Sequence, residues 1–154
     1  MSREVRHRVC ARVLPVNAAG EVLLLHGWDP AAPEAPYWFS VGGGIDEGEE
    51  LVAAAVRETK EEIGVVIAPG ELVELGREDT AFNWGEWHLV QDQTFFAVRL
   101  DVPLSEIHFR GLEPLEVGTI DEARWWRPDD LEADGGAVNE TLLTMMRAAV
   151  AVAG

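Results

Sequence analysis

Glu58, Glu61 and Glu62 are the residues whose types and spacing suggest chemistry. They stand at i, i+3 and i+4. On a helix at about 100° per residue they fall within an arc of about 100° over one turn. Such a cluster is unfavourable on its own, because like charges at i, i+4 repel and a helix C-terminus already carries partial negative charge. A hard divalent cation reverses the sign of that penalty, since Mg²⁺ takes oxygen ligands in near-octahedral array. The plainer alternative is a solvated acidic face.

The element that must carry these acids reads as a helix of about 13 residues, rich in strong helix formers. Gly64, just past its last turn, is a stop signal. Val52, Val56, Thr59 and Ile63 make an inward stripe on it, leaving the carboxylates on another face. Thr59 can pack its methyl and bond its hydroxyl back to the Ala55 carbonyl. Upstream, Gly42-Gly43-Gly44 reads as a turn that lets backbone approach the site.

Gly43, Glu49, Arg57-Glu58, Glu61-Glu62 and Gly64-Val65 together resemble the Nudix box, the signature of the Nudix hydrolases. Every fixed position is filled. Thr59 stands at an aliphatic position, and Val41 stands where many members carry proline. The resemblance implies an α/β/α sandwich with a mixed β-sheet, as a single domain spanning 1–154. It implies hydrolysis of nucleoside diphosphate-linked compounds by attack of water on phosphorus, with Mg²⁺ or Mn²⁺ bound. Carried over by position, Glu58, Glu61, Glu62 and the Gly43 carbonyl are the metal ligands. Arg57 pairs with Glu49 and keeps the carboxylates in register. Glu61 is the first choice as general base, with Glu113, Glu116 and Glu122 as alternatives. A Nudix fold that binds a nucleotide without cleaving it is the competing reading, but it predicts loss of box glutamates, and none is lost.

Composition agrees with a folded, acidic protein. Hydrophobic residues make up 47% of the chain, too many for a disordered one. The net charge of −16 argues against nucleic acid as a general partner, and repels polyphosphates unless cations intervene. The lone Cys10 cannot form an internal disulfide. The N-terminus is too charged for a signal peptide, and no apolar run reaches the ~18 residues of a membrane span. The expectation is a cytoplasmic protein with a small nucleotide substrate and no membrane partner. Homodimers are common in the family, and the sequence leaves that state open.

Elsewhere, alternation predicts a strand over 5–13, whose arginine side (Arg8, Arg12) faces solvent or phosphate. A hairpin leads to a second strand over 21–26. A proline-rich loop precedes a short strand over 37–41, whose Trp38 could stack on a base. Further strands are expected over 71–80, 87–100 and 120–127. Gln91, Asp92 and Gln93 interrupt the second of these, either as a solvent-facing edge or as ligand contacts; Gln93 is the candidate. Asn139 caps a closing helix over 139–152. For substrate choice, no coenzyme A motif precedes the box, and no proline lies between Pro69 and Pro103. Phe82 falls near a tyrosine of diadenosine polyphosphate enzymes.

Overall fold

The computed structural model describes residues 3–109, 111–112 and 118–154. The strands are β1 (Glu4–Val16), β2 (Val22–Gly27), β3 (Tyr37–Phe39), β4 (Val41–Gly44), β5 (Val73–Trp84), β6 (Trp87–Arg99) and β7 (Ile120–Trp126). The helices are α1 (Leu51–Ile63), α2 (Pro128–Asp134) and α3 (Glu140–Ala153). The sheet runs β3-β2-β1-β6-β5, with β4 also paired to β1 and β7 to β2. β1 and β6 are parallel over their whole length and the other pairs are antiparallel, so the sheet is mixed.

Strand alternation splits the interior into two layers. Leu14 and Val16 of β1, Val22 and Leu24 of β2, and Phe95 and Ala97 of β6 pack under α3 with Leu142, Met145, Met146 and Ala149. The residues between them, Ala11, Val13, Leu23, Leu25, Phe96 and Val98, pack under α1 with Ala54, Ala55 and Ile63. Helices thus cover both faces, and the architecture is the expected α/β/α sandwich with a mixed sheet. Asn139 caps α3, its side-chain oxygen accepting from Leu142 N–H at 2.9 Å. No helix among the described residues is long and apolar enough to cross a membrane.

Three local expectations differ. The predicted strand over 37–41 is two strands, broken at Ser40. β3 pairs with β2, whereas β4 switches to β1. The glycines are therefore strand residues, not a turn. Gly42 has φ of 136°, and a Cβ there would lie 2.1 Å from the Ala11 carbonyl oxygen. Only a bare backbone can be drawn this close to β1. Lastly, the polar segment of β6 is no edge, because β6 lies between β1 and β5.

A candidate active site between helix α1 and the glycine strand

α1 ends as its sequence dictates. Gly64 takes the left-handed conformation at φ 74°, and its N–H closes on the Lys60 carbonyl. Thr59 Oγ1 donates to the Ala55 carbonyl at 2.7 Å, as expected. The division of faces is not as expected. Thr59 and Ile63 are fully buried, but Val52 and Val56 are only half-buried, and Glu58 and Glu62 are buried too. The reason lies opposite them: β4 carries no side chains at Gly42 and Gly43, which leaves room for carboxylates to turn inward. A Cβ at Gly43 would fall 2.9 Å from the carboxyl carbon and from both oxygens of Glu58.

The protein itself offsets part of this crowding. Glu62 Oε2 accepts the Gly42 N–H at 2.9 Å. Arg57 grips Glu49 with two bonds, Nε to Oε2 at 3.0 Å and Nη2 to Oε1 at 2.9 Å. Its Nη1 reaches Glu58 Oε1 at 3.0 Å and Glu61 Oε2 at 3.1 Å, and Nη2 also reaches the Gly44 carbonyl. These bonds to Arg57, more than its backbone bond from Asp46, hold the Glu49 carboxyl down at about 2. The same bonds to Glu49 push the Arg57 guanidinium further toward its charged form. Arg57 is the clip that registers α1 on the loop before it.

A cleft of about 470 Å³ opens beside these groups. Glu58, Glu62, Arg57 and the three glycines form one wall, and Arg8, Arg12, Gln91 and Gln93 line it further along the sheet. Neither Arg8 nor Arg12 has a carboxylate partner among the described residues, although the protein is strongly acidic. Arg12 Nη1 donates to the Gly42 carbonyl at 3.1 Å and Nη2 to Gln91 Oε1 at 3.3 Å. The aromatic end of the cleft is built by Tyr37, Phe39, Phe82, Trp84 and Trp87. Burial, helped by nearby Asp29, raises the Tyr37 hydroxyl above its usual value.

The residues singled out from sequence divide accordingly. Gly43, Glu58, Glu62, Arg57, Arg8 and Gln93 meet at the cleft. Glu61 does not line it; its side chain is 30% exposed at the rim, tied to Arg57. Trp38 is a correction. It is 5% exposed and packs under α3, edge-on to Trp126 with ring centroids 5.4 Å apart. Its neighbours Tyr37 and Phe39 face the cleft instead, because alternation along β3 sends them to the other side. Glu122 is exposed on β7 and does not line the cleft, while Glu113 and Glu116 lie outside the described residues. Arg12 and Gln91, which the sequence offers beside Arg8 and Gln93 without preferring them, line the cleft as well.

An oxygen-only donor set suits a hard cation. The buried pair Glu58 and Glu62, with the bare Gly43 backbone against Glu58, fits one. Among the described residues, one set of three His, Cys, Asp or Glu side chains brings its ligand atoms within 4.8 Å of one another. It is His26, Asp121 and Glu122, away from the cleft lining, and the box glutamates are not part of it. Arg57 bonds both Glu58 and Glu61, and the Gly42 N–H bonds Glu62.

A sandwich whose helical carboxylates turn onto a glycine strand defines a Nudix-type protein. The comparisons make the class a membership. The sequence profile described as NUDIX domain matches residues 6–145, and the chain belongs to the Nudix hydrolase family. It is 31% identical over 134 residues to an RNA pyrophosphohydrolase of Novosphingobium aromaticivorans, covering 81% of this chain and 80% of that protein. A Wolbachia pipientis protein of the same name is 30% identical over 142 residues, covering 86% and 82%. Among solved structures, a MutT NUDIX hydrolase from Burkholderia pseudomallei superposes with a TM-score of 0.65 at 22% identity, over 92% of this chain and 97% of that one. An Ap4A hydrolase from C. elegans gives 0.61 at 19% identity, over 94% and 96%. At these identities the structures speak for the fold.

Proposed function

We propose that the chain acts as one domain, a Mg²⁺- or Mn²⁺-dependent pyrophosphohydrolase of a nucleoside diphosphate-linked compound, with a small nucleotide as substrate. The observation that carries this is the burial of Glu58 and Glu62 on a bare glycine strand, in a cleft that Arg8 and Arg12 also line. Glu58, Glu62 and the Gly43 carbonyl hold the cation. When bound, it neutralises charge on the non-bridging phosphate oxygens.

Arg8 and Arg12, without carboxylate partners among the described residues, bind phosphate oxygens and orient the anhydride. Gln93 adds a neutral contact to the substrate. Glu61 lies outside the cleft lining but shares an Arg57 nitrogen with Glu58, and a turn of its side chain toward the cleft lets it accept a proton from the attacking water. The water oxygen forms the new bond to phosphorus as the anhydride P–O bond breaks, and the departing phosphate takes the electron pair. Arg57 touches no reacting atom; it keeps Glu58 and Glu61 in place, bonding both from a single nitrogen.

The test is release of phosphate or pyrophosphate from a panel of nucleotides with Mg²⁺. The expected result is turnover of at least one, abolished by EDTA. No turnover of any nucleotide overturns the small-nucleotide assignment. A second reading takes the 5′-triphosphate end of RNA as substrate, and the names of the relatives at 31% and 30% identity favour it. Comparing a 5′-triphosphorylated oligonucleotide with free nucleoside triphosphates decides between the two.

A further inference from the structure

The floor of the cleft carries a hydrogen-bond donor that the protein does not use. Gln91 is 1% exposed and lines the cleft, and its Nε2 is buried with no hydrogen-bond partner among the described residues. Its amide cannot turn over. Oε1 accepts from Arg12 Nη2 at 3.3 Å and from Gln93 Nε2 at 3.1 Å. A flipped amide would set its NH₂ against two donors. Gln93 Nε2 also bonds Thr80 Oγ1, a hydroxyl that can donate or accept, so it is Arg12, a donor only, that fixes the Gln91 orientation. Gln91 therefore holds a buried donor, and no spare acceptor, in the wall of the cleft, a wall it shares with a shallower depression beside His7, Arg8 and Asp92. A buried donor without a protein partner is costly, and such a group in a cleft is met by an ordered water or by an acceptor on the ligand that displaces it.

Register says which part of the ligand. Thr80 stands opposite Gln91, Phe82 opposite Leu89, and Trp84 opposite Trp87, and all six line the cleft. Side chains on one face of a strand recur every ~6.8 Å. The polar pair thus directly adjoins an apolar platform, on the side away from Gln93. A flat heterocycle resting on Phe82 and Leu89 would turn one edge toward Gln91.

We propose that Gln91 Nε2 donates to an exocyclic oxo oxygen on the substrate's base, so that the enzyme selects an oxo group over an amino group there. An amino group would place donor against donor. The inference rests on the nucleotide reading above and deepens it.

The test compares pairs in which an oxo group replaces an amino group and the adjacent ring nitrogen turns from acceptor to donor, ITP with ATP and UTP with CTP; the Gln91 variants separate the two changes. Hydrolysis is measured with Mg²⁺. Binding is measured separately in EDTA by tryptophan fluorescence, because Trp84 and Trp87 line the cleft. The expected result is a preference of about tenfold or more for the oxo member, in KM and in metal-free binding rather than in kcat. Gln91→Glu keeps an acceptor for Arg12 and Gln93 but removes the donor, and should bring each pair to within about twofold. Gln91→Met, which carries no charge, should do the same, with circular dichroism confirming the fold of both variants. No preference in the wild type overturns the inference. So does a loss in the variants equal for all four nucleotides, which would mark Gln91 as a phosphate contact. If the wild type neither binds nor cleaves any nucleotide, the underlying nucleotide reading fails, and this inference with it.

Discussion

At Glu62 a carboxylate with 1% of its surface exposed faces an amide N–H and an open cleft. Gln at this position keeps the shape and deletes the charge. Glu62→Gln should therefore fold normally by circular dichroism yet lose about 100-fold or more in kcat, on the scale by which even supporting groups around a metal matter. Wild-type rate at saturating Mg²⁺ would contradict the assignment of Glu62. Gly43→Ala probes the same geometry from the other side. Its Cβ would sit 2.9 Å from the Glu58 carboxyl, so the carboxyl must move. A displacement near 1 Å costs on the order of 100-fold in rate. Thr59→Val is the control. It loses one bond to Ala55 in a buried site that takes the methyls, so urea unfolding should shift by no more than about 1 kcal/mol. A much larger shift would mean that the hydroxyl does more than bond back along its helix.

At the scale of elements, α1 is locked at both ends, by Arg57 on the loop before it and by Gly64 behind it. The Glu49 carboxyl is held at about 2, against an ordinary 4.5, chiefly by its bonds from Arg57. A lowered acid contributes stability fully above its unfolded value, and loses it as pH falls toward the folded one. The wild type should thus lose stability more steeply than Glu49→Gln between about pH 4.5 and 2, read as urea midpoints. Parallel slopes would show that the clip contributes nothing. Much of this element was legible beforehand. Helix formers, the glycine stop and the box spacing placed α1, and the Arg57–Glu49 pair followed from position. The inward turn of Glu58 and Glu62 was not legible, because a periodicity count treats a carboxylate as a solvent group. Only the pairing of β4 with β1 reveals that glycines face it. The burial of Trp38 escaped for a similar reason. Which side of a three-residue strand faces the core depends on its partners, and Trp38 is fixed by backbone bonds to Gly136 and Val138.

The whole molecule carries a net charge of −16, yet Arg8 and Arg12 lie in the cleft without acidic partners among the described residues. On the proposed function, phosphates are repelled at long range and attracted at short range. Salt screens the first over ~8–10 Å and acts less on the second. For a free nucleotide, kcat/KM should stay level or rise between low and moderate ionic strength, and a steep fall would point to a basic surface that the sequence does not contain. The central claim is that the buried pair Glu58 and Glu62 holds a divalent cation, and a thermal-shift titration with Mg²⁺ tests it most directly. Binding to the folded state alone raises the melting temperature progressively with concentration. The account predicts such a rise in the wild type and its loss in Glu58→Gln. An identical rise in both, or none in the wild type, would contradict it.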